Sequence, residues 1–251
     1  MTNKKKIIID MPNKHIYQGK DLNSHVMHFT DEVTDLYRNH QTTVLGKGVV
    51  NNKINALIMS KIANIGIHTH YIKALNMREQ AVRISDPVNI TVRFTNVTTE
   101  ELATKFNLVQ GMVLKSPVME LFVGNSIAEN LSTDEQIVYF GVVDPFEMEE
   151  IKHISSRIND FLQGFFSSYN IRLVSVDLKF AKVFEEDYIR LVLADEITPD
   201  TTRLLDLTTN EVLDSSFSLQ TGMDTNYLEV AKRMGLVLRN KPTKRKLKLV
   251  E

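Results

Sequence analysis

The chain has 251 residues, of which 43% are apolar and 24% charged, a balance that suits a globular fold and excludes a collagen-like or disordered chain. A formal net charge of -1 gives no global field toward nucleic acid, and the absence of cysteine excludes disulfides, thiolate nucleophiles and thiolate metal sites. Such a length buries a sizeable core, either as one domain or as two packed lobes.

Lys4, Lys5 and Lys6 precede Ile7, Ile8 and Ile9, but Asp10 ends that apolar run after three residues, so no secretory signal is expected. No apolar stretch approaches the length of a bilayer span, and a cytoplasmic location is the expectation. Strands are expected to end at residues 17–20 and to run over 25–29, joined by a tight turn. Gly46 to Gly48 lead into a helix in which Val49, Val50, Ile54, Leu57, Ile58, Ile62 and Ile65 fall at helical spacing, and Gly66 is the expected stop. Lys47 and Asn51 sit at its start, where free amides favour anions; capping and solvation explain them equally well.

Residues 67–72 are expected as a strand with His68 and His70 on one face. Two histidines without a third ligand nearby point to hydrogen bonding rather than to a metal. Strands follow at 80–84 and 88–94, joined at Pro87, and in the second Val88, Ile90, Val92 and Phe94 alternate with Asn89, Thr91 and Arg93. Thr98 and Glu101 have the spacing of a capping box for a helix ending at Phe106. A short strand is expected at 118–122 and a long amphipathic packing helix from 145 to 169. In 171–182, Val174, Val176, Leu178 and Phe180 oppose Ser175, Asp177 and Lys179 as the two faces of a half-buried strand. A polar tip at 185–187 turns into a branched strand at 188–193. A last helix spans 227–234 before Gly235. The tail carries Arg239, Lys241, Lys244, Arg245, Lys246 and Lys248 without interleaved aromatics, which fits a solvated tail rather than a nucleic-acid site.

Charge concentrates where the strand at 188–193 stops: Asp195, Glu196, then Pro199, Asp200, Arg203 and Asp206. Side-chain alternation sends Asp195 and Glu196 to opposite faces, so only one of them serves a given site. Pro199 turns the chain and brings Asp200 and Arg203 back toward Asp195, where a metal and an anion could sit together. The plainer alternative has Asp200 capping a helical turn and Arg203 pairing with Asp206.

Ala194-Asp-Glu-Ile-Thr-Pro-Asp-Thr-Thr-Arg-Leu-Leu-Asp206 resembles the signature of the SAICAR synthase family, purine-pathway ligases that join aspartate to a carboxylated aminoimidazole ribotide using ATP. Further similarity lies at residues 16–20, 46–53, 75–80, 157–162 and 231–235. The resemblance implies an α+β, two-lobed fold with antiparallel sheets, packed helices and a central cleft. It implies a nucleotide-binding-type lobe at 1–93, a substrate-type lobe at 94–238, a basic tail at 239–251, and dimers or larger assemblies. By position it assigns Gly19, Lys20 and Lys47 to ATP, and Arg93, Asp200 and Arg203 to substrate. Asp195, Asp177 and Lys179 fall at catalytic positions, with Asp195 and Glu129 as ligands for magnesium.

The chain also departs from that pattern. Asp21 follows Lys20, and about eight residues of the phosphate-covering hairpin are missing on a boundary that is soft at this level. An Ala-Ala-Gly-Ser ligand turn is replaced by residues 94–101, which bring in Glu100 and Glu101. A His-Asp-Pro-Met loop is replaced by 124–131, where Glu129 is the chemically reasonable substitute for the aspartate. The family's Asp, Lys and Glu on one strand face become Ser175, Asp177 and Lys179, and an arginine-rich stretch becomes 215–222. These changes lead to the expectation of a degraded or repurposed active site, impaired in ligation and retained for binding a genuine synthase, another copy or an altered ligand. The alternative is a divergent but active synthase that uses Asp177, Glu129 and Asp195 in rearranged roles, with ATP, magnesium, ribotide and aspartate as its ligands.

Overall fold

A computed structural model describes residues 6–11, 13–19, 23–35, 40–124, 130–214 and 225–236. The first sheet contains β1 (Ile7–Met11), β2 (Lys14–Gln18), β3 (Ser24–Phe29), β6 (Tyr71–Ala74) and β7 (Glu79–Arg83), all antiparallel, in the order β1-β2-β3-β7-β6. A separate hairpin, β4 (Glu32–Asp35) with β5 (His40–Thr43), leads into α1 (Lys47–Asn64), which packs on β3, β6 and β7. Gly66 follows with a φ of 82°, the left-handed conformation expected of a helix stop.

Helical spacing places Ile54, Ile58 and Ile62 of α1 in the core, where they are fully buried. Ile65 instead lies beyond the helix, 39% exposed, and three asparagines are buried beside the apolar residues. Those asparagines are internal connectors. Asn55 Nδ2 donates to Gln80 Oε1 at 3.0 Å, its Oδ1 accepts the Ile197 amide at 2.9 Å, and Gln80 Nε2 donates to the Asn52 carbonyl at 2.7 Å. Burial of the Asn55 and Gln80 amides is offset because they pair with each other and with backbone.

The second sheet contains β8 (Asp86–Val97), β9 (Val113–Val123), β10 (Leu131–Ser132), β11 (Ile171–Glu185), β12 (Tyr188–Ala194) and β13 (Thr202–Asp206). Its order is β10-β9-β8-β11-β12, and β13 pairs with β11. Among the described residues the remaining helices are α2 (Glu100–Phe106), α3 (Asp134–Tyr139), α4 (Pro145–Ser167) and α5 (Thr225–Arg233). Asp144 caps α4 in a reciprocal box with Glu147, and Pro145 starts it. Met148, Ile151, Ile158 and Leu162 of α4 share one core with Val92, Phe94, Val176, Leu178 and Phe180. This is the α+β, antiparallel architecture that the sequence implies. Among the described residues no helix is long and apolar enough to cross a membrane.

Three local expectations are corrected. The cap of α2 is Thr99, whose hydroxyl accepts the Leu102 amide at 3.3 Å, while the Thr98 hydroxyl donates to the Met112 carbonyl at 3.1 Å. Residues 113–117 extend the strand expected at 118–122. Residues 67–70 form no regular strand; they bridge the sheets instead. The His70 amide donates to the Leu193 carbonyl at 2.8 Å, the Leu193 amide to the His68 carbonyl at 2.9 Å, and the Arg83 amide to the His70 carbonyl at 2.7 Å. The edge of β12 is thereby tied to β7, and the two sheets enclose a cleft.

At the start of α1 the backbone of Gly48 runs so close to β3 that an added Cβ would stand 2.5 Å from the Phe29 carbonyl oxygen. Gly48→Ala should therefore lower unfolding free energy by about 1–3 kcal/mol, the usual cost of forced overpacking, as read from urea melts. An unchanged midpoint would contradict this close packing.

Candidate active site

The site begins where β12 ends. Asp195 has a φ of 61°, a left-handed conformation that interrupts the strand's alternation. In consequence Asp195 and Glu196 do not diverge as the sequence implied: both carboxylates reach Lys14 on β2. Lys14 Nζ donates to Asp195 Oδ1 and, at 2.8 Å, to Glu196 Oε1. The Lys14 side chain is 3% exposed. Glu196 also accepts from Asn13 Nδ2 at 2.9 Å and from the Thr198 hydroxyl at 2.8 Å. Lys179 Nζ stands 3.4 Å from the other Asp195 oxygen.

Burial alone would raise the Asp195 carboxyl, but the ammonium groups of Lys14 and Lys179 overcome it and hold the pKa at about 2. Glu196 moves upward because its burial dominates and because Asp200 and Asp195 are nearby acids. Burial works to lower the Lys14 ammonium, yet the two carboxylates together keep it above its ordinary range. His70 is buried against the same turn. A carbonyl oxygen can only accept, so His70 Nε2 donates to the Asp195 backbone oxygen at 2.9 Å, and desolvation lowers its pKa to about 4.

A second cluster surrounds Asp200. Its Oδ2 accepts from Lys47 Nζ at 2.7 Å and Asn51 Nδ2 at 2.8 Å, and its Oδ1 from the Tyr227 hydroxyl. Lys47 also donates to the Glu32 carbonyl at 2.6 Å. Asp200 is therefore no helix cap. Arg203 pairs with Asp214 at 3.3 Å rather than with Asp206, which binds Arg233 at 2.6 Å. Nearby, Asp31 receives the Gly48 amide at 2.9 Å and both Arg78 terminal nitrogens at 2.7 and 2.8 Å. The Arg78 guanidinium is the main reason that the Asp31 pKa falls to about 2.

Sheet register assembles the remaining residues. On β11, Lys179, Asp177 and Ser175 stand opposite Thr91, Arg93 and Thr95 of β8, and Ser175 stands opposite Arg203 of β13. Paired residues share a face, so one polar face runs from Lys179 to Arg203 while Val176 and Leu178 point into the core. Arg93 grips Asp177 through two bonds of 2.7 and 2.8 Å and lies 5.5 Å from the Phe122 ring centroid. At the Lys179 end this face opens into a cavity of about 490 Å³ between the sheets. Ile16, Val82, Pro87 and Val88 are among its walls, with Lys179 and Asp195 at its polar end. Such a volume fits a ligand of nucleotide size.

Gly19 closes the β2–β3 hairpin through its amide, which donates to the Ser24 carbonyl at 3.1 Å; an added Cβ would stand 2.0 Å from that oxygen. Lys20 and Glu129 lie outside the described residues, as does the tail from 239. Sequence reasoning missed Lys14, whose only available signal was its place on the same strand face as Ile16. It also missed Asp31 with Arg78, and Tyr227. Of the magnesium ligands that the resemblance implies, Asp195 and Glu129, only Asp195 is among the described residues. Asp195 is neutralised by two lysines, and Asp177 is committed to Arg93. Among the described residues no group of three or more histidines or acids is placed to hold a metal. The described residues do not fit a protein-held divalent ion.

Two outcomes follow from this geometry. Lys14→Met leaves two buried acids without their cation and should lower unfolding free energy by about 3–5 kcal/mol. Because the folded state resists protonation of His70, stability should fall as pH drops from 6.5 toward 4. That titration accounts for about 3 kcal/mol of the loss, and His70→Gln should remove it from the pH profile of denaturant melts. An identical profile in the variant would contradict the assignment.

A family model described as SAICAR synthetase matches residues 12–234. The phosphoribosylaminoimidazole-succinocarboxamide synthase of Bartonella quintana is 36% identical over 243 residues, covering 96% of each chain. The protein of that name from Zymomonas mobilis is 37% identical over 227 residues, 89% of this chain and 88% of the other. The crystal structure of the Ehrlichia chaffeensis phosphoribosylaminoimidazole-succinocarboxamide synthase matches with a TM-score of 0.87 and 32% identity, over 94% of this chain and all of that one. A SAICAR synthetase in complex with ADP matches with a TM-score of 0.83 and 25% identity, over 91% of this chain and 97% of the other. On this full-length similarity and the architecture just described, the chain belongs to the SAICAR synthetase family.

Proposed function

We propose that the chain is an active ligase that joins aspartate to carboxylated aminoimidazole ribotide using ATP. This reading replaces the expectation of a degraded or repurposed centre, for which neither the described residues nor the relatives offer support. The observation that carries it is the continuous polar face of β8 and β11. One end, at Lys179 and Asp195, opens into the cavity; the other presents Arg93, Asp177 and Arg203. A donor and an acceptor bound along one face would meet at Lys179.

In this reading the apolar walls at Ile16, Val82, Pro87 and Val88 hold the base of ATP, and a related SAICAR synthetase solved in complex with ADP supports a nucleotide as ligand. The substrate carboxylate oxygen attacks the terminal phosphorus, and ADP departs with the bonding pair. The amino nitrogen of aspartate then attacks the acyl carbon, phosphate leaves and the nitrogen loses a proton. Lys179, oriented by Asp195, stabilises charge on the transferring phosphoryl oxygens. Arg93, held flat by Asp177 and Phe122, is preset to receive an anionic group of the ribotide. Asp200 with Lys47 fixes the turn that carries Asp195 and Glu196. The reading includes a cytoplasmic location.

Steady-state assay of ADP release tests it. Wild type should require both aspartate and the ribotide. Lys179→Met should lower kcat roughly 10²- to 10³-fold, as when one preorganised donor to a developing anion is removed. Arg93→Met should instead act mainly on KM for the ribotide, by about tenfold or more, as expected for loss of a binding contact. A folded wild type that releases no ADP with both substrates at millimolar concentration would overturn the proposal.

A further inference from the structure

We propose that Lys14 is the resident cation of the acidic turn, its ammonium occupying the space between Asp195 and Glu196 that a protein-held divalent ion would require. The inference stands on the geometry of the turn and does not depend on the ligase reading.

Every oxygen of the two carboxylates already faces a donor. Asp195 Oδ1 meets Lys14, and its Oδ2 stands 3.4 Å from Lys179. Glu196 Oε1 meets Lys14 at 2.8 Å and Asn13 at 2.9 Å, and Oε2 meets Thr198 at 2.8 Å. Formal charge also closes: two carboxylates against two ammonium groups. A divalent ion entering this turn would bring two further positive charges next to Lys14 and would displace donors from oxygens that a hard cation needs for itself. Lys14 cannot swing aside into water as a surface lysine can, because its side chain is enclosed and its strand is anchored in the first sheet between β1 and β3. His70 faces the turn through its neutral Nε2–H and adds no ligand, since that nitrogen is committed to the Asp195 carbonyl, and Asp200 further along the turn is already paired with Lys47 at 2.7 Å.

The arrangement has a chemical consequence. Cationic compensation at this end of the cavity is covalently tethered, supplied by Lys14 within the turn and Lys179 at its mouth. A metal accompanying a polyphosphate ligand would therefore ride on the ligand's own oxygens, without a carboxylate anchor at Asp195. Lys14 is a positioning residue in this scheme: it touches the two acids, not the ligand, and sets which way Asp195 presents its second oxygen to Lys179.

The test is a titration of the full chain with Mn²⁺ alone, without nucleotide, followed by electron paramagnetic resonance of the free ion. Wild type should retain no Mn²⁺ at this turn, so any weak binding should be unchanged in Asp195→Asn. Lys14→Gln, which releases both carboxylates while keeping a polar side chain, should gain at least tenfold in Mn²⁺ affinity, and Asp195→Asn in that background should abolish the gain. Tight wild-type binding that Asp195→Asn removes would overturn the proposal, as would a folded Lys14→Gln protein with no gain. Should Lys14→Gln fail to fold, the comparison of wild type with Asp195→Asn decides alone. Because the readout involves neither nucleotide nor turnover, its failure is separable from failure of the ligase assay.

Discussion

One buried ammonium group holds together carboxylates that a regular strand would send to opposite faces. Lys14 belongs to the first sheet, and Asp195 and Glu196 follow the last residue of β12 in the second, so their contact joins elements separated by 181 and 182 residues. Removing a charge from water is costly, and a lone lysine here would titrate to neutrality; two acids within hydrogen-bonding reach reverse that outcome. The left-handed φ of Asp195 belongs to the same arrangement. It turns the Asp195 side chain toward Lys14 and leaves its carbonyl for His70, and the His70 amide in turn binds β12. Main-chain conformation, charge pairing and sheet-to-sheet contact are thus one structure at this point.

The same logic extends along the 195–206 turn. Asp200 is fixed by the first residue of α1, by Asn51 one turn further on and by Tyr227 of α5, so three side chains from two helices far apart in sequence converge on one carboxylate. Glu196 and Asp200 are linked through the Thr198 hydroxyl, which donates to Glu196 and accepts the Asp200 amide at 3.2 Å. The site is therefore built from a turn held by its own hydrogen bonds. Beyond it, the polar face of β11 is laid out by strand pairing, which sets Lys179, Asp177 and Ser175 in a row without any specialised loop.

Legibility from the sequence followed the range of the forces involved. The faces of β8, β11 and α4 were readable because each is set by its own periodicity, with Val92 and Leu178 inside while Arg93 and Asp177 remain outside. The 194–206 motif was readable as a family signature, and with it the α+β architecture. Lys14 was not readable, since a lysine in a short strand looks the same whether it meets solvent or two acids from the other sheet. Nor was the conformation of Asp195, because alternation presumes a strand that continues. Residues 67–70 resembled a strand by composition, yet their backbone bonds go to the edges of two different strands. The pairing of Asp177 was not readable because its partner Arg93 lies on the neighbouring strand, far away in sequence.

The account rests on Lys14 being charged and enclosed, and its side-chain ammonium can be followed directly by nuclear magnetic resonance in protein labelled with ¹⁵N-lysine. The account predicts a Lys14 signal that exchanges slowly with water, stays protonated above the ordinary lysine pKa of 10.5 and does not respond to added magnesium. A Lys14 that titrates at or below that value, or whose signal moves when magnesium is added, would contradict it.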